Sequence, residues 1–368
     1  MAEHIVVVGA GYAGLAAAKL AAKWTGSHVT LVNARDRFVE RVRLHQLAVG
    51  QDLRDLPLAD LLAGTGVELV VDRVTDIDPD TRKIQLTGGA LAYDRLIYAV
   101  GSHSNLDAVP GAAEHAHAVS TREDAEKLAV ALKSARTVAV MGGGLTGIEA
   151  ASELAESRPD LDVLLVTAGG LGEDLSEKGR RHLRKVFDRL GVRVHDHVHV
   201  TEVRADGLVL EAGELIAADT VVWTAGFAVP DLAARAGFAV DARGRVLVDQ
   251  TLTSISHPEV QAIGDAAAMK RHDGLELRMA CATGLPTAQK AVRALAKRLG
   301  GDAPGDRLDF RYTIRCVSLG RRDGLIQFVH DDDTPKERVL TGRMAARAKE
   351  LVVRSALMFQ RHPTMPVG

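Results

Sequence analysis

The chain has 368 residues, of which 46% are hydrophobic, 26% charged and 4% aromatic, a composition that excludes a fibrous or disordered protein. Its 46 basic and 48 acidic residues leave a formal charge of −2, so we expect no nucleic-acid partner and no general attraction to acidic membranes. The length suffices for two or three domains.

The beginning of the chain carries no targeting pattern. Met1–His4 lead directly into an apolar strand, without a basic segment or a cleavage site. No apolar run approaches the length of a membrane-spanning helix. Cys281 and Cys316 lack CxxC and metal-ligand spacing, which favours a reducing compartment. We therefore expect a cytoplasmic protein.

Residues 4–101 predict a βαβ unit followed by a β-meander. Strand His4–Val8 leads into the turn Gly9-Ala10-Gly11-Tyr12-Ala13-Gly14, an alanine-rich helix and strand His28–Asn33. Strand-like segments follow at Val67–Val71, Val74–Ile77 and Lys83–Leu86, and Tyr93–Gly101 closes the unit. This order predicts a parallel sheet.

Residues 136–226 repeat that order. Strand Thr137–Met141 meets the turn Gly142-Gly143-Gly144-Leu145-Thr146-Gly147, a helix and strand Asp162–Thr167, and Asp219–Gly226 closes the second copy. Val260–Asp265 and the helical pattern Pro286–Leu299 resemble the remainder of the first copy. The repeat predicts an α/β fold of two Rossmann-like domains, with the second inserted in the first. We place the first domain at 1–112 and 245–300, and the second at 113–244.

A small C-terminal α+β unit is expected at 301–368. Phe310–Leu319 and Gly324–Val329 are strand-like, and a helix is predicted from Arg343 to about Phe359. Its apolar positions, Met344, Ala348, Leu351, Val352 and Phe359, fall at helical spacing among Arg343, Arg347, Lys349, Arg354 and Arg361. Such a helix either packs on its own domain or lies in an anionic membrane interface. The sequence leaves both open for 343–361.

Each glycine-rich turn has the form that binds a dinucleotide. Glycines let the chain turn tightly and let a pyrophosphate approach the backbone, while the helix that follows offers free N–H groups. The acid that usually binds the adenosine ribose is absent from both copies, where Asn33 and Thr167 end the second strand. Asn33 can still bond ribose hydroxyls. Thr167 would not repel a 2′-phosphate, so the choice between NADH and NADPH stays open.

The two turns are accompanied by the closing segments YDRLIYAVGS and VVWTAGF and by the later segment VQAIGDAAA. Together these motifs make residues 4 to about 300 similar to flavoproteins of the pyridine-nucleotide-disulfide oxidoreductase superfamily. Type II NADH dehydrogenases and apoptosis-inducing-factor-like quinone reductases are the members it most resembles. The resemblance implies FAD in the first domain, NADH or NADPH in the second, and a bond from Asp265 to the FAD ribityl chain. No cysteine precedes Cys281, so the redox disulfide of disulfide reductases is excluded.

The turns and the resemblance together give two sets of expected contacts. For FAD they are Gly9, Gly11, Tyr12, Ala13, Gly14, Asn33, Ala34, Arg35, Arg43, Ala99, Val100, Gly101, Gly264, Asp265, Pro286, Thr287 and Ala288. For NAD(P)H they are Gly142, Gly143, Gly144, Leu145, Thr146, Gly147, Glu149, Thr167, Ala225 and Gly226. Glu149 is expected to position the reacting groups, or else to serve only as a charge near a helix start.

The segment Thr283–Ala291 resembles the family's helix entry at the flavin pyrimidine edge. Pro286 suits the first turn of a helix, whose free N–H groups would stabilise negative charge on the flavin. Cys281 is read as a small core residue or a nucleophile. Arg41, Arg43 and His45 either reach FAD or the acceptor, or form a solvated basic segment. His195, His197 and His199 alternate as in a surface strand, and we predict no metal site.

The predicted reaction is hydride transfer from NAD(P)H to FAD, followed by electron transfer to a quinone or a similar small acceptor. Two alternatives share every cofactor motif: a soluble FAD-dependent tailoring reductase or oxidase of a biosynthetic pathway, and a redox-sensing interaction flavoprotein. Peripheral contact with the inner face of the membrane and the choice between monomer and homodimer are left open.

Overall fold

Two parallel five-stranded sheets form the centre of the molecule in the computed structural model, which describes residues 3–303 and 308–365. The helices are α1 (Tyr12–Thr25), α2 (Leu44–Ala48), α3 (Leu58–Leu62), α4 (Ala112–His115), α5 (Arg122–Ala131), α6 (Leu145–Ser157), α7 (Glu177–Leu190), α8 (Leu232–Arg235), α9 (Cys281–Leu299) and α10 (Gly342–Arg361). Across the described part of the chain, none of these helices combines the length and the apolar composition that crossing a membrane requires.

The strands divide among the two large sheets and several small ones. Those before residue 110 are β1 (His4–Val8), β2 (His28–Asn33), β3 (Val67–Val71), β4 (Val74–Asp78), β5 (Lys83–Leu86), β6 (Gly89–Ala92), β7 (Arg95–Tyr98) and β8 (His103–Ser104). Those up to residue 230 are β9 (Ala116–Ala118), β10 (Thr137–Met141), β11 (Asp162–Val166), β12 (Arg193–His195), β13 (Val200–Arg204), β14 (Gly207–Leu210), β15 (Leu215–Ala217), β16 (Thr220–Trp223) and β17 (Phe227–Ala228). The rest are β18 (Val246–Leu247), β19 (Val260–Ala262), β20 (Ala267–Ala268), β21 (Ile314–Ser318), β22 (Gly324–Val329) and β23 (Pro335–Thr341).

The internal repeat is confirmed at the level of single hydrogen bonds. The first sheet has the order β3-β2-β1-β7-β19 and the second β12-β11-β10-β16-β9, with every neighbouring pair parallel. The Gly9 N–H donates to the Val32 carbonyl at 2.8 Å, and the Gly142 N–H donates to the Val166 carbonyl at the same distance. Both turns therefore leave the carboxyl end of the central strand in the same way, as the α/β prediction requires.

Several short strands escaped the sequence analysis, and three of them, β6, β15 and β23, lack an alternating apolar pattern. β6 and β15 complete the two meanders as short third strands, and β23 forms one edge of the C-terminal sheet β21-β22-β23. The first four residues of β23, Pro335-Lys336-Glu337-Arg338, are exposed, as expected of a protected edge strand. The expected boundaries at 112/113, 244/245 and 300/301 remain predictions.

The C-terminal unit is fastened to both large domains. Val317, Leu319 and Leu325 share one buried apolar cluster with α6 and α7 of the second domain. At the far end of α10, the Lys19 ammonium donates to the carbonyls of Gln360 and Arg361 at 2.8 and 2.9 Å, which binds the helix end to α1. The predicted helix from Arg343 is confirmed, and its bounds extend by one residue at the start and two at the end.

Candidate active site

The first glycine-rich turn is shaped by close backbone packing. Gly9 has φ +98°, and a Cβ there would lie 2.5 Å from the Ala99 carbonyl oxygen. A Cβ on Gly14 would lie 1.9 Å from the Gly9 carbonyl oxygen, whereas one on Gly11 would meet no heavy atom within 4 Å. Packing therefore requires the outer two glycines, and the space above Gly11 fits a pyrophosphate that approaches the backbone.

The second turn repeats this geometry. Gly142 has φ +120°, and a Cβ on Gly147 would lie 1.8 Å from the Gly142 carbonyl oxygen, while one on Gly144 would meet open space. The N-cap residues of α1 and α6 are glycines and provide no side-chain cap, so no described side chain accepts from the N–H groups of Tyr12 and Leu145. Both helix starts fit the phosphates of a dinucleotide.

Thr167 and Asn33 occupy equivalent positions beyond the two turns. A Cβ on Gly143 would lie 2.4 Å from the Thr167 hydroxyl oxygen, so this buried side chain lies against its turn. The Asn33 amide oxygen accepts from the Ala10 N–H at 2.9 Å, and its nitrogen donates to the Arg35 carbonyl at 2.7 Å. Asn33 thus braces the first turn, and its contact with a ribose remains a prediction.

A cavity of about 530 Å³ lies beside the end of β2 and is lined by Ala34 and Arg35. The Arg35 guanidinium is held by two hydrogen bonds to the Glu123 carboxylate, at 2.5 and 2.6 Å. The cavity lies where the resemblance places the adenosine half of FAD. Arg35 is thereby fixed in position at its rim.

Asp265 follows Gly264, whose φ is +66°, at the end of β19 in the first sheet. Its carboxylate accepts from the Ser102 hydroxyl at 2.7 Å and lies 3.8 Å from the Arg41 guanidinium. Arg41 also donates to the Ser102 carbonyl at 2.7 Å. The structure therefore joins Asp265 to the segment that follows Ala99, Val100 and Gly101, and its bond to the FAD ribityl chain remains a prediction. Ser102 was not expected from the sequence.

The helix that faces this centre begins earlier than expected. α9 starts at Cys281 and contains Pro286 in its interior, so the placement of Pro286 in the first turn was wrong. A Cβ on Gly284 would lie 3.8 Å from the Ala13 nitrogen, which brings the first turn of α9 against the first glycine-rich turn. Thr287 and Ala288 are fully buried. The helix start that would face FAD is therefore at Cys281, and the Thr283 N–H there already donates to the Ala280 carbonyl at 3.1 Å.

Glu149 forms a buried ion pair that the sequence analysis missed. Its carboxylate accepts from the Lys349 ammonium of α10 and from the Ser318 N–H at 2.8 Å. Lys349 also donates to the Cys316 carbonyl at 3.0 Å. Burial alone would raise the pKa of Glu149, but the charge of Lys349 and the two hydrogen bonds outweigh it and hold that pKa below its usual range. Glu149 is therefore an anion at neutral pH.

Lys349 could have been found from its place on the helix. Ala345, Val353 and Leu357 are the buried side chains spaced four residues apart along α10, and Lys349 occupies the missing position in that row. A lysine within the apolar row of an amphipathic helix needs an anionic partner. The sequence does not say which carboxylate provides it, because Glu149 lies 200 residues away.

Arg43 is engaged by the same helix. Its guanidinium donates two hydrogen bonds to the Glu350 carboxylate, at 2.8 and 3.1 Å, and one to Glu40 at 3.3 Å. Burial disfavours the charge, but these two carboxylates raise the pKa of Arg43. The structure brings Arg43 to α10 rather than to the Asp265 centre, and its contact with FAD remains a prediction.

His45 is buried between the two domains. Its Nε2 atom lies 4.0 Å from the Glu153 carboxylate and has no hydrogen-bond partner among the described residues. Burial lowers the pKa of His45 to about 4, and the opposing effect of Glu149 is offset by Lys349, Arg321 and Arg43. The imidazole is neutral at pH 7.

We predict that His45 makes the protein less stable in acid. Its pKa is about 4 in the folded state and 6.5 in the unfolded state, so the unfolded state binds the extra proton between those values. The free energy of unfolding then decreases as the pH falls from 6.5 towards 4. Its loss between pH 7.5 and pH 5 is about 2 kcal/mol. Urea denaturation at several pH values measures this loss, and His45→Gln should remove it. An identical pH dependence in both proteins would contradict the prediction.

Cys281 lies at the start of α9, at a point where the two domains meet. Its side chain is accessible, yet the surrounding protein desolvates the thiol and, with Asp265, raises its pKa to about 11. The thiol is therefore protonated at neutral pH, which weighs against a nucleophile.

The three alternating histidines do not share a strand. β12 ends at His195, and His197 has φ +56° in the connection to β13, so the expectation of one continuous strand was wrong. Within residues 3–303 and 308–365, no group of three or more His, Cys, Asp or Glu side chains is placed to hold a metal ion.

Comparison with known proteins agrees with this geometry. The family model described as pyridine nucleotide-disulphide oxidoreductase matches residues 3–294. An NADH dehydrogenase-like protein of Mycobacterium tuberculosis is 34% identical over 317 residues, which cover 78% of each chain. The type II NADH:quinone oxidoreductase of Staphylococcus haemolyticus is 26% identical over 95% of this chain and 94% of its own.

The fold is also similar to that of NDH2 from Plasmodium falciparum, solved in complex with NADH. The TM-score is 0.81 at 16% identity, and the match covers 99% of this chain and 98% of that one. At this identity the likeness concerns the fold alone. It extends over the C-terminal unit, which lies beyond the residues that the family model matches.

Proposed function

We propose a quinone as the electron acceptor of this chain, which belongs to the pyridine nucleotide-disulphide oxidoreductase family and is an FAD-dependent NAD(P)H oxidoreductase. Relatives named for a quinone acceptor support the proposal. Bound FAD supplies the chemistry that accepts hydride and donates electrons. The protein's own residues bind, orient and control protons.

The observation that carries the proposal is the Glu149–Lys349 pair. It joins the first turns of α6 to the buried row of α10, so it is one of the charged contacts at which the nucleotide domain and the C-terminal unit meet. Lys349 Nζ lies next to Glu149 Oε1, and both side chains are nearly buried, at 14% and 12% exposure. Such a pair can supply a proton to an acceptor oxygen at the inner end of a cavity.

The two cysteines support an external acceptor. Cys281 and Cys316 are both free thiols, and the sequence has no cysteine in the first 280 residues. Electrons therefore have no dithiol relay in the FAD domain. They pass to a molecule that enters from solvent or from a membrane.

We also propose that α10 makes a peripheral contact with a membrane. The helix buries Ala345, Val353 and Leu357 against its own domain, yet its opposite face exposes Met344, Leu351 and Val352, by 67%, 65% and 45%. Neighbouring exposed apolar side chains of this size mark a contact surface. The sequence had left packing and membrane binding as alternatives, and the two faces of α10 are compatible with both.

Stopped-flow reoxidation tests the acceptor. The holoenzyme is reduced anaerobically with one equivalent of NADH and then mixed with a short-chain soluble quinone, and we expect flavin absorbance to return at a rate that rises with quinone concentration. NADPH in place of NADH determines the preferred reductant in the same apparatus. A protein electron carrier that reoxidises the flavin while every quinone fails would contradict the proposal.

A further inference from the structure

A cavity of about 540 Å³ lies between the first half of α10, the loop at residues 318–322, and Val42 and Gln46 near the start of α2. Its wall carries five basic side chains and one acidic side chain: Arg321, Arg322, Arg343, Arg347, Lys349 and Glu350. None of these arginines was assigned a role in the dinucleotide sites. Apart from Lys349, the positive lining of this cavity is therefore not explained by the oxidoreductase reaction.

Three of the basic groups lack an acidic partner. Lys349 is paired with Glu149, Arg321 lies 3.0 Å from the Glu153 carboxylate, and Glu350 is occupied by Arg43. By contrast, no hydrogen bond or ion pair within residues 3–303 and 308–365 engages the guanidinium groups of Arg322, Arg343 and Arg347. The cavity thus keeps three uncompensated positive charges.

Two of these arginines stand where helix electrostatics disfavour them. Arg343 is in the first turn of α10, which has no acidic residue, and the positive end of the helix dipole repels a cation there. Arg347 follows four residues later on the same face, so the two like charges repel each other. A bound anion would offset both penalties.

The loop that presents Arg322 is held firmly. Gly320 has φ +78°, and a Cβ there would lie 2.6 Å from the Glu156 carboxyl carbon, so the loop packs directly on α6. The Arg321 N–H donates to the same carboxylate. On the other side of Arg322, Asp323 accepts from His182 at 2.8 Å. The backbone that carries Arg322 is therefore held before any ligand arrives, which lowers the entropic cost of binding.

The surroundings of the cavity indicate the kind of anion. Met344 follows Arg343 directly, and Leu351 lies one helical turn beyond Arg347, so exposed apolar side chains border the charged cavity on the same helix. A ligand that complements both has an anionic head and an apolar tail. A small free anion would leave the apolar side chains uncovered.

We propose that this cavity binds the phosphate headgroup of an anionic phospholipid, with Arg322, Arg343 and Arg347 around the phosphate and the acyl chains along Met344 and Leu351. The inference rests on the proposed membrane contact of α10 and specifies its chemistry. It makes membrane attachment selective for anionic lipid, rather than a consequence of apolar contact alone.

The test is co-sedimentation of the FAD holoenzyme with vesicles of phosphatidylcholine, with or without phosphatidylglycerol. We expect binding to the vesicles that contain phosphatidylglycerol, and a loss of about 30-fold in the partition coefficient for Arg343→Gln/Arg347→Gln, since each basic residue at an anionic surface contributes about a factor of five or six. The matched control is Arg180→Gln/Arg184→Gln on α7, which removes the same charge at the same spacing. It should change binding less than about threefold.

Further measurements distinguish a phospholipid headgroup from free phosphate as the ligand. Soluble dihexanoyl-phosphatidylglycerol should raise the melting temperature of the wild type and of Leu351→Ser, but not that of the double arginine variant. Equal losses in the two double variants, or equal binding to both kinds of vesicle, would overturn the proposal. So would stabilisation by inorganic phosphate without any binding to phosphatidylglycerol, which would identify a free-anion site.

The quinone assay is run on the same preparations. Reduction of a soluble quinone by the wild-type holoenzyme is measured without vesicles, so that the result does not depend on lipid binding. Vesicle binding without quinone reduction would count against the proposed acceptor alone. Quinone reduction without vesicle binding would count against the lipid site alone.

Discussion

Gly144→Ala is expected to leave the protein folded and loaded with FAD, and to slow flavin reduction by NADH about 100-fold, which corresponds to about 2.7 kcal/mol. The residue has φ −70° and ψ 174°, a conformation that alanine adopts freely. Among residues 3–303 and 308–365, and apart from its own chain neighbours, no heavy atom lies within 4 Å of the added Cβ. The methyl group would therefore meet only the pyrophosphate of NAD(P)H.

The mirror variant Gly11→Ala provides the matched control. Gly11 has φ −75° and ψ −169° and equally open surroundings, but it lies in the turn assigned to FAD. It should reduce the FAD content of the purified protein and leave the melting temperature of the apoprotein unchanged. The two measurements are flavin absorbance after purification and stopped-flow reduction by NADH. If both variants lose FAD, or if neither changes anything, the assignment of one dinucleotide to each turn is wrong.

Lys349→Met is expected to lower the free energy of unfolding by about 3 kcal/mol, because it leaves the Glu149 carboxylate buried without its cation. Methionine keeps most of the side-chain volume, so the loss reports charge rather than packing. Without Lys349, burial dominates and the pKa of Glu149 rises. Urea denaturation measures the stability, and the pH profile of quinone reduction should gain a new inflection that a purely structural role would not produce.

The double variant Lys349→Met/Glu149→Gln tests the coupling. Removal of both charges should recover most of the lost stability, since no uncompensated charge remains. Glu149→Gln alone leaves the ammonium buried and should be destabilising as well. A double variant that is as unstable as the sum of the two single variants would mean that the residues do not act as a pair.

The two nucleotide turns could be read from the sequence because their chemistry is local. Gly9, Gly14, Gly142 and Gly147 are fixed by contacts within the turn or with one neighbouring strand, and the apolar strands before them form a repeating pattern. The helix α10 was also predicted, but its buried row is Ala345, Val353 and Leu357, and none of the five apolar positions predicted for its packed face is buried. Local patterns of this kind predict fold class well.

The active-site contacts that were missed all depend on distant parts of the chain. Lys349 meets Glu149, Glu350 meets Arg43 and Ser102 meets Asp265 only after folding brings separate elements together. The start of α9 was missed for another reason. Pro286 is a strong signal for a first turn, but the helix continues through it towards the amino terminus and packs Gly284 against α1.

The fastening of α10 has a consequence for how the protein forms during translation. Lys19, Arg43 and Glu149 all find partners on this helix, yet the ribosome makes α10 after both large domains. Because domains fold as they emerge, these three charged groups must stay hydrated in the nascent chain until α10 is available. Closure of the two domains on each other is then a late event. A delay in synthesis just before residue 342 would prolong the exposure of that unfinished interface to chaperones and proteases.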